Sequence, residues 1–335
     1  MPESNFERIP SKPPVILPLP PGTKRLQWSV MIPVYNGLAY LEQTLNSVLC
    51  QDFGPDRMQI EVVDDVSNEG DVAAIVERVG KGRVAYYRQP VNVGNVRNFE
   101  TCINRAVGEY IHILHGDDYV EPGFYKAITQ LFIDFPEAGA ACTDWRVVDD
   151  MGIPVWTNAP VGEERGILKN WQQRIAIRQW LEPPAKVVKR STYEELGSFY
   201  MVHCCEDWLM WNRIAAKYPV AYHPEVLAKY RNHDENVTAK SFKNRKNFLD
   251  IYKTMLYNIA HLPEHLRAVS EKESRKNYAF YFANLAHRQW HANHDKEEAI
   301  IVAKDALKFQ VNSYSLKLYI KLLLKIATGY KGKSK

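Results

Sequence analysis

The sequence predicts an α/β protein: a mostly parallel sheet flanked by helices, followed by a C-terminal helical extension. Three observations carry this. Short apolar runs alternate with amphipathic segments from Trp28 to Trp145. The run Tyr110-Ile111-His112-Ile113-Leu114 ends on a small-residue turn carrying two adjacent carboxylates, Asp117 and Asp118. From residue 241 onward the strand-like runs cease.

The chain has 335 residues, more than one core usually covers, so two domains or one domain with an extension are expected. At 46% hydrophobic and 24% charged the composition is that of a globular protein, and a net charge of +4 is too mild for a nucleic-acid partner. Cys50, Cys102, Cys142, Cys204 and Cys205 are odd in number and match no zinc spacing, which points to reduced thiols in the cytoplasm. No apolar run reaches membrane-spanning length, and no hydrophobic leader is seen. Asn236-Val237-Thr238 is therefore read as an accidental glycosylation sequon.

Taken in order, residues 1–26 carry seven prolines (Pro2, Pro10, Pro13, Pro14, Pro18, Pro20, Pro21) and form an extended arm, loose or lying on the surface. A strand over Trp28–Ile32 stops at Pro33, and Leu38, Leu41, Leu45 and Leu49 give the next helix one apolar face. A second strand, Ile60–Val63, ends in Asp64-Asp65. A helix near 71–79, a strand over Arg83–Tyr87, a loop at Asn92-Val93-Gly94 and a helix near 95–107 precede the run at 110–114.

Ligands of open α/β sheets gather outside the carboxyl ends of the strands. Two carboxylate pairs fall there. Asp117 and Asp118, with a histidine beside them, make a hard-oxygen site for Mg²⁺ or Mn²⁺, although the same pair can instead cap the helix that starts near Pro122. Asp64 or Asp65 can accept hydrogen bonds from a base or ribose. The first turn has no G-x-G-x-x-G and the chain has no P-loop signature, so a nucleotide would be held another way.

The motifs together resemble family 2 glycosyltransferases. The resemblance runs through Ser29-Val30-Met31-Ile32-Pro33-Val34-Tyr35-Asn36 and Val62-Val63-Asp64-Asp65-Val66-Ser67. It continues in Asn92-x-Gly94-x-x-Arg97-Asn98, Leu114-His115-Gly116-Asp117-Asp118, Glu206-Asp207-Trp208 and Tyr230-Arg231-x-His233, about two-thirds of the chain. It implies a GT-A fold of the nucleotide-diphospho-sugar transferase type, an activated-sugar donor, a glycan or lipid-linked acceptor, Mn²⁺ or Mg²⁺ as cofactor, and inversion at the anomeric carbon. Cell-surface polysaccharide, glycan or glycolipid synthesis is the implied setting, in the cytoplasm and at the inner face of its membrane. The implied donor-binding residues are Pro33, Tyr35, Asn36, Asp64, Asp65, Asn92, Gly94, Arg97, Asn98, Asp117 and Arg231. The metal would fall to Asp117, Asp118 and His233, the base to Asp207 with Glu206 beside it. Two positions depart from the family pattern. His115 stands where the first acid of D-x-D is usual, and Val66 replaces a glycine, which restricts positive φ there.

The resemblance divides the chain into a catalytic domain over 27–240, split at 145/146 into donor and acceptor halves, and an extension over 241–335. Residues 138–145 read as another buried strand and 150–165 as a loop on the acceptor side, with Trp156, Trp171 and Trp180 in or near it. Glu206 and Asp207 open a helix, where the macrodipole alone would favour them. Arg231 and His233 suit a pyrophosphate and its metal. Helices are expected near 241–260, 264–293, 296–309 and 313–328, and they offer dimer surface. His287, His291 and His294 share a helical face and read as solvated. Lys317, Lys321 and Lys325 recur along an apolar last helix, followed by Lys331, Lys333 and Lys335. Such an end can lie on an anionic membrane surface or pack inward with its lysines in water. Two other classes stay open: a sugar nucleotidyltransferase, and a carbohydrate-binding protein of this fold without catalysis.

Overall fold

A computed structural model describes residues 7–156, 159–233 and 246–330. The sequon at 236–238, the polar loop beyond His233, the first residues of the helix expected from 241, and Lys331, Lys333 and Lys335 lie outside the described residues. The chain divides into two compact units, Met1–Ile175 with Gln179–Thr254, and Ala176–Arg178 with Met255–Lys335.

In the first unit the elements are β1 (Leu26–Val34), α1 (Leu38–Leu49), β2 (Met58–Asp64), α2 (Val72–Gly80), β3 (Ala85–Arg88), α3 (Asn95–Arg105), β4 (Gly108–Ile113), β5 (Tyr119–Val120), α4 (Phe124–Asp134) and β6 (Ala140–Val148). After these come β7 (Pro154–Trp156), β8 (Gly166–Ile167), α5 (Trp171–Ile177, whose last two residues count with the second unit), a 3₁₀ turn (Pro183–Ala185), β9 (Lys186–Lys189), α6 (Arg190–Leu196), α7 (Glu206–Ala215) and β10 (Val220–Arg231). One sheet runs β3-β2-β1-β4-β9-β6-β10-β5, with β7 on β6 and β8 on β10. The block β3-β2-β1-β4 is parallel, as the alternation predicts. Beyond it the sheet is mixed: β9 is antiparallel to both β4 and β6, while β6 and β10 are parallel. The excess of parallel pairing expected from the sequence therefore holds only for the first half.

Seven consecutive residues of β1, Trp28 to Val34, are buried because both faces of the strand are covered. The strand does not stop at Pro33 but continues to Val34, with Pro33 paired to Val63. Parallel register then sets Val34 beside Asp64 and Met31 beside Ile113, so β1, β2 and β4 end along one edge. Close approach makes this possible at Gly108, where a Cβ would sit 2.3 Å from the Trp28 carbonyl carbon. The described part of the proline-rich arm lies on the surface. Ser198 and Met201 donate to the Pro14 and Pro10 carbonyls at 2.8 Å each, and Ile16 is buried.

The second unit holds the end of α8 (Lys246–Ala260), then α9 (Glu264–Asn293), α10 (Lys296–Phe309) and α11 (Ser313–Ala327). Its core includes Phe282, Ala286, Trp290, Phe309 and Leu322, with Phe282 stacked on Phe309 at 5.3 Å. His287 and His291 are not solvated and unpaired: Lys325 of α11 approaches them at 3.3 and 2.7 Å, and His287 Nε2 meets the Leu318 carbonyl. His294 bonds the Trp290 carbonyl. No helix of the described residues is long and apolar enough to cross a membrane.

Candidate active site

The common edge of β1, β2 and β4 carries the first group of candidates. Asp64 is fully buried, and its carboxylate accepts the Ser67 amide (2.9 Å), the Tyr86 hydroxyl (2.7 Å) and the Arg88 guanidinium. Asp65 is also buried and accepts the Val93 and Gly94 amides at 2.6 and 2.8 Å. In this structure the two carboxylates take protein donors and brace the turn and the 92–94 loop. Val66 does take the left-handed conformation, φ 65°, despite its branched side chain, held between the bonds of Asp65 and Ser67.

The other motif residues of this edge are also braces. Asn36 lies at φ 58° and accepts the Asn68 amide; Asn92 donates to the Asp65 carbonyl and accepts from Arg8. Arg97 meets the Glu7 carbonyl and Glu100, and Asn98 donates to the Val63 carbonyl. Pro33 is buried in β1, whereas Tyr35 is 55% exposed at the mouth of the turn.

After β4 the chain is hooked back onto β1, Leu114 donating to the Met31 carbonyl at 3.0 Å and Gly116 to that of Pro33 at 3.3 Å. This turn presents His115, Asp117 and Asp118, each offering one ligand atom within 4.8 Å of the others. His115 is clamped against Phe99, centroids 5.2 Å apart and 11° from coplanar. His233 Nε2 lies 3.0 Å from Asp117 Oδ2. Asp117, Asp118 and His233 thus converge as expected, and His115 joins them. The capping alternative fails: α4 begins at Phe124, its N-cap is Gly123, and no side chain caps it.

Asp118 is 1% exposed; one carboxylate oxygen accepts the Arg231 amide at 2.9 Å, and Oδ2 has no hydrogen-bond partner. Burial and the Asp117 charge push the Asp118 carboxyl well above the usual carboxylate range. Burial acts the same way on Asp117, but the His233 hydrogen bond and the histidine charges outweigh it and hold that carboxyl low. Burial lowers His115 against the opposing Asp117 charge, which favours the unprotonated ring that can ligate a cation. An orphaned buried oxygen among carboxylate and imidazole donors fits a divalent cation such as Mn²⁺ or Mg²⁺. Arg231 is placed behind this cluster. It is 1% exposed, with its guanidinium on the carbonyls of Asp117, Asp149 and Asp150 and on Gln43. These bonds tie the backbone of Asp117 to that of Asp149 and Asp150.

Glu206 and Asp207 open α7 behind Cys205, which takes φ 66°. Glu206 is buried, accepts Asn95 Nδ2 at 3.1 Å and is pushed up by burial and by Asp207. Asn95 follows Gly94, so the loop held by Asp65 also reaches Glu206. Asp207 Oδ2 accepts Gln179 Nε2 at 2.8 Å. Burial raises the Asp207 carboxyl to about 6, against hydrogen bonds and the nearby Lys186 charge. Lys186 is itself buried, its ammonium 3.7 Å above the Trp211 ring.

Glu182 is the acid that the sequence did not reveal. Burial and the Asp207 charge raise it to about 8, and its charge also acts on Asp118. The same Gln179 amide that holds Asp207 makes a longer contact, 3.5 Å, with Glu182. Glu182 precedes Pro183-Pro184 with no periodic pattern or motif, and its only signal was an acid set before a rigid turn. Of the tryptophans, Trp171 is buried, Trp180 donates to the Arg174 carbonyl, and Trp156 is 51% exposed.

Comparison with known proteins agrees with this geometry. The Glycosyl transferase family 2 model matches residues 29–194. MT1568, an uncharacterized protein of Mycobacterium tuberculosis, is 28% identical over 66% of this chain and 72% of its own length. The poly(ribitol-phosphate) β-N-acetylglucosaminyltransferase TarS of Staphylococcus aureus is 25% identical over 38% of this chain and 22% of its own. The crystal structure of TarS 1–349 with UDP-GlcNAc superposes with a TM-score of 0.62 at 18% identity, covering 91% of this chain and 90% of that one. The mannosyltransferase PcManGT of Pyrobaculum calidifontis, solved with GDP-Man and Mn²⁺, gives 0.57 at 16% identity over 96% and 85%. The sheet, the convergent acids and the matched segment lead to one assignment: the chain is a family 2 glycosyltransferase with a GT-A fold.

Proposed function

We propose that the enzyme moves a sugar from a nucleotide-diphospho-sugar to an acceptor hydroxyl with inversion, Asp207 acting as the base. The observation that carries this reading is the electrostatic chain of acids. The Gln179 amide lies 2.8 Å from Asp207 and 3.5 Å from Glu182, and the Glu182 charge in turn raises Asp118, which supports placing base and cation cluster in one neighbourhood. Asp207 takes the proton from the acceptor hydroxyl, and the resulting oxygen attacks the anomeric carbon from the face opposite the leaving diphosphate. A raised carboxyl is a stronger base than an exposed one yet remains ionised at neutral pH. Gln179 holds one oxygen of Asp207 and so orients the other lone pairs. Glu206, held by Asn95, lies beside the base as an acceptor-orienting group.

His115, Asp117, Asp118 and His233 would hold Mn²⁺ or Mg²⁺. When bound, such an ion supplies positive charge for the departing diphosphate. That PcManGT was solved with Mn²⁺ supports this choice. UDP- and GDP-sugars are the donors to try first, since the similar structures hold UDP-GlcNAc and GDP-Man. A glycan or lipid-linked acceptor in cell-surface polymer synthesis, reached from the cytoplasm, completes the reading.

The test is release of nucleoside diphosphate from a panel of sugar nucleotides with Mn²⁺, on the wild-type chain and on Asp207→Asn. Turnover by the first and not the second supports the proposal. Equal release by both removes Asp207 from the mechanism.

A further inference from the structure

We infer that α11 is a docking face for an anionic lipid bilayer, independent of the transfer chemistry. Its buried positions are Ser315 and Leu322. At about 100° per residue these lie on one side of the helix. Leu316, Ile320, Leu323 and Leu324 lie on another, within an arc of about 100°, and are 43, 49, 37 and 61% exposed. Ala327 extends the same stripe and is exposed. Near the N-terminus of α11 the apolar surface widens: Val311 is 68% exposed, and Phe280, 53% exposed, stacks on Tyr314 at 4.6 Å. A 15-residue helix presents this stripe over about 22 Å.

Charge selects the occupant. Exposed Lys317 and Lys321 follow one border of the stripe, and no Asp or Glu occurs anywhere from residue 306 to 335. A second copy of the chain, meeting this face about a two-fold axis, would bring the same lysines toward each other with no acid to pair them. An anionic headgroup layer instead pairs the lysines while the leucines enter the acyl boundary. Aromatic rings such as Tyr314 suit the headgroup level.

Flotation of the full chain with phosphatidylglycerol vesicles and with phosphatidylcholine vesicles tests this. The chain should float with the first and not the second, less so at high salt. Lys317→Gln/Lys321→Gln should weaken binding about five-fold per lysine, the equivalent of ~1 kcal/mol each near an anionic surface. Ile320→Ser/Leu324→Ser should weaken it at least as much, with helicity, melting temperature and nucleoside diphosphate release in solution unchanged. The inference is overturned if wild type fails to float with phosphatidylglycerol at low salt, or if the serine pair floats equally. It is also overturned if wild type forms a concentration-dependent dimer that the serine pair abolishes, which would assign the stripe to a second copy.

Discussion

Gln179 and Asp207, from segments 28 residues apart, meet through a 2.8 Å hydrogen bond in which the amide donates to one carboxylate oxygen. In the proposed transfer Asp207 takes a proton from a hydroxyl, and this bond would aim its lone pairs. Gln179→Ala should lower kcat by ~10–100-fold with donor binding unchanged, because misplacing a reacting group by about 1 Å costs that much. Asp207→Asn should lower it further, by ~10²–10⁴, the usual worth of a general base. Steady-state release of nucleoside diphosphate and calorimetric binding of the donor separate the two effects.

The cation cluster predicts a graded loss. Asp117→Asn and Asp118→Asn should each weaken Mn²⁺ binding by about ten-fold or more, since even supporting residues of metal sites are worth that. His115→Phe keeps an aromatic ring against Phe99 while removing the nitrogen donors. It should weaken Mn²⁺ with little change in melting temperature. Mn²⁺ titration followed by electron paramagnetic resonance reads all three. Unchanged Mn²⁺ affinity in His115→Phe would take His115 out of the ligand set.

Asp207 must be ionised to act, so kcat/KM should rise with pH through about 6 and level off above it. The stability effect has the opposite sign. Its folded pKa lies above the ordinary 3.8, so the protonated, buried carboxyl stabilises the fold below about 4, and that contribution is lost as pH rises through 6. Glu182, at about 8, still carries its proton in the window where Asp207 has lost its own. Glu182→Gln should therefore leave the acid limb of the profile in place. A rate profile flat between pH 5 and 7 (about one unit either side of 6) would contradict this assignment.

Gly108 tests the scaffold. A methyl group there meets the backbone of Trp28 and Ser29 at 2.3–2.8 Å, in the strand pairing that lines up the ends of β1 and β4. Gly108→Ala should destabilise the first unit by about 2–3 kcal/mol, the upper range for overpacking, because backbone cannot step aside. Urea denaturation measures it. A change below about 0.5 kcal/mol, the size of an ordinary surface substitution, would show that β1 and β4 can separate at no cost.

Much of this was legible because it rests on local pattern. Apolar alternation located β1, β2 and β4, and the four helices after residue 245 fell close to their expected bounds, since amphipathic spacing and caps such as Asp295 and Asn312 are local signals. The antiparallel β9 was not legible: Lys186–Lys189 is four residues long, and its direction is set by pairing with β4 and β6 far along the chain. At the site, Asp117 and Asp118 could be named from residue chemistry in a turn, and His233 from the family resemblance. The protein partners of Asp64, Asp65 and Arg231 could not, because a motif gives residue types and not the groups that surround them. Glu182, Gln179 and Lys186 were invisible for a related reason. Their importance comes from burial beside Asp207, a three-dimensional fact with no spacing to announce it.

In the proposed reaction, carboxylates distant in sequence act together on one activated sugar. The most direct measurement is donor turnover by paired variants: nucleoside diphosphate release by wild type, Asp118→Asn, Asp207→Asn and the double variant, with Mn²⁺ present. Groups that serve one transition state are non-additive, so the double variant should be no slower than about the worse single one. Independent losses that multiply, or release that survives in Asp207→Asn, would show that these carboxylates do not act together.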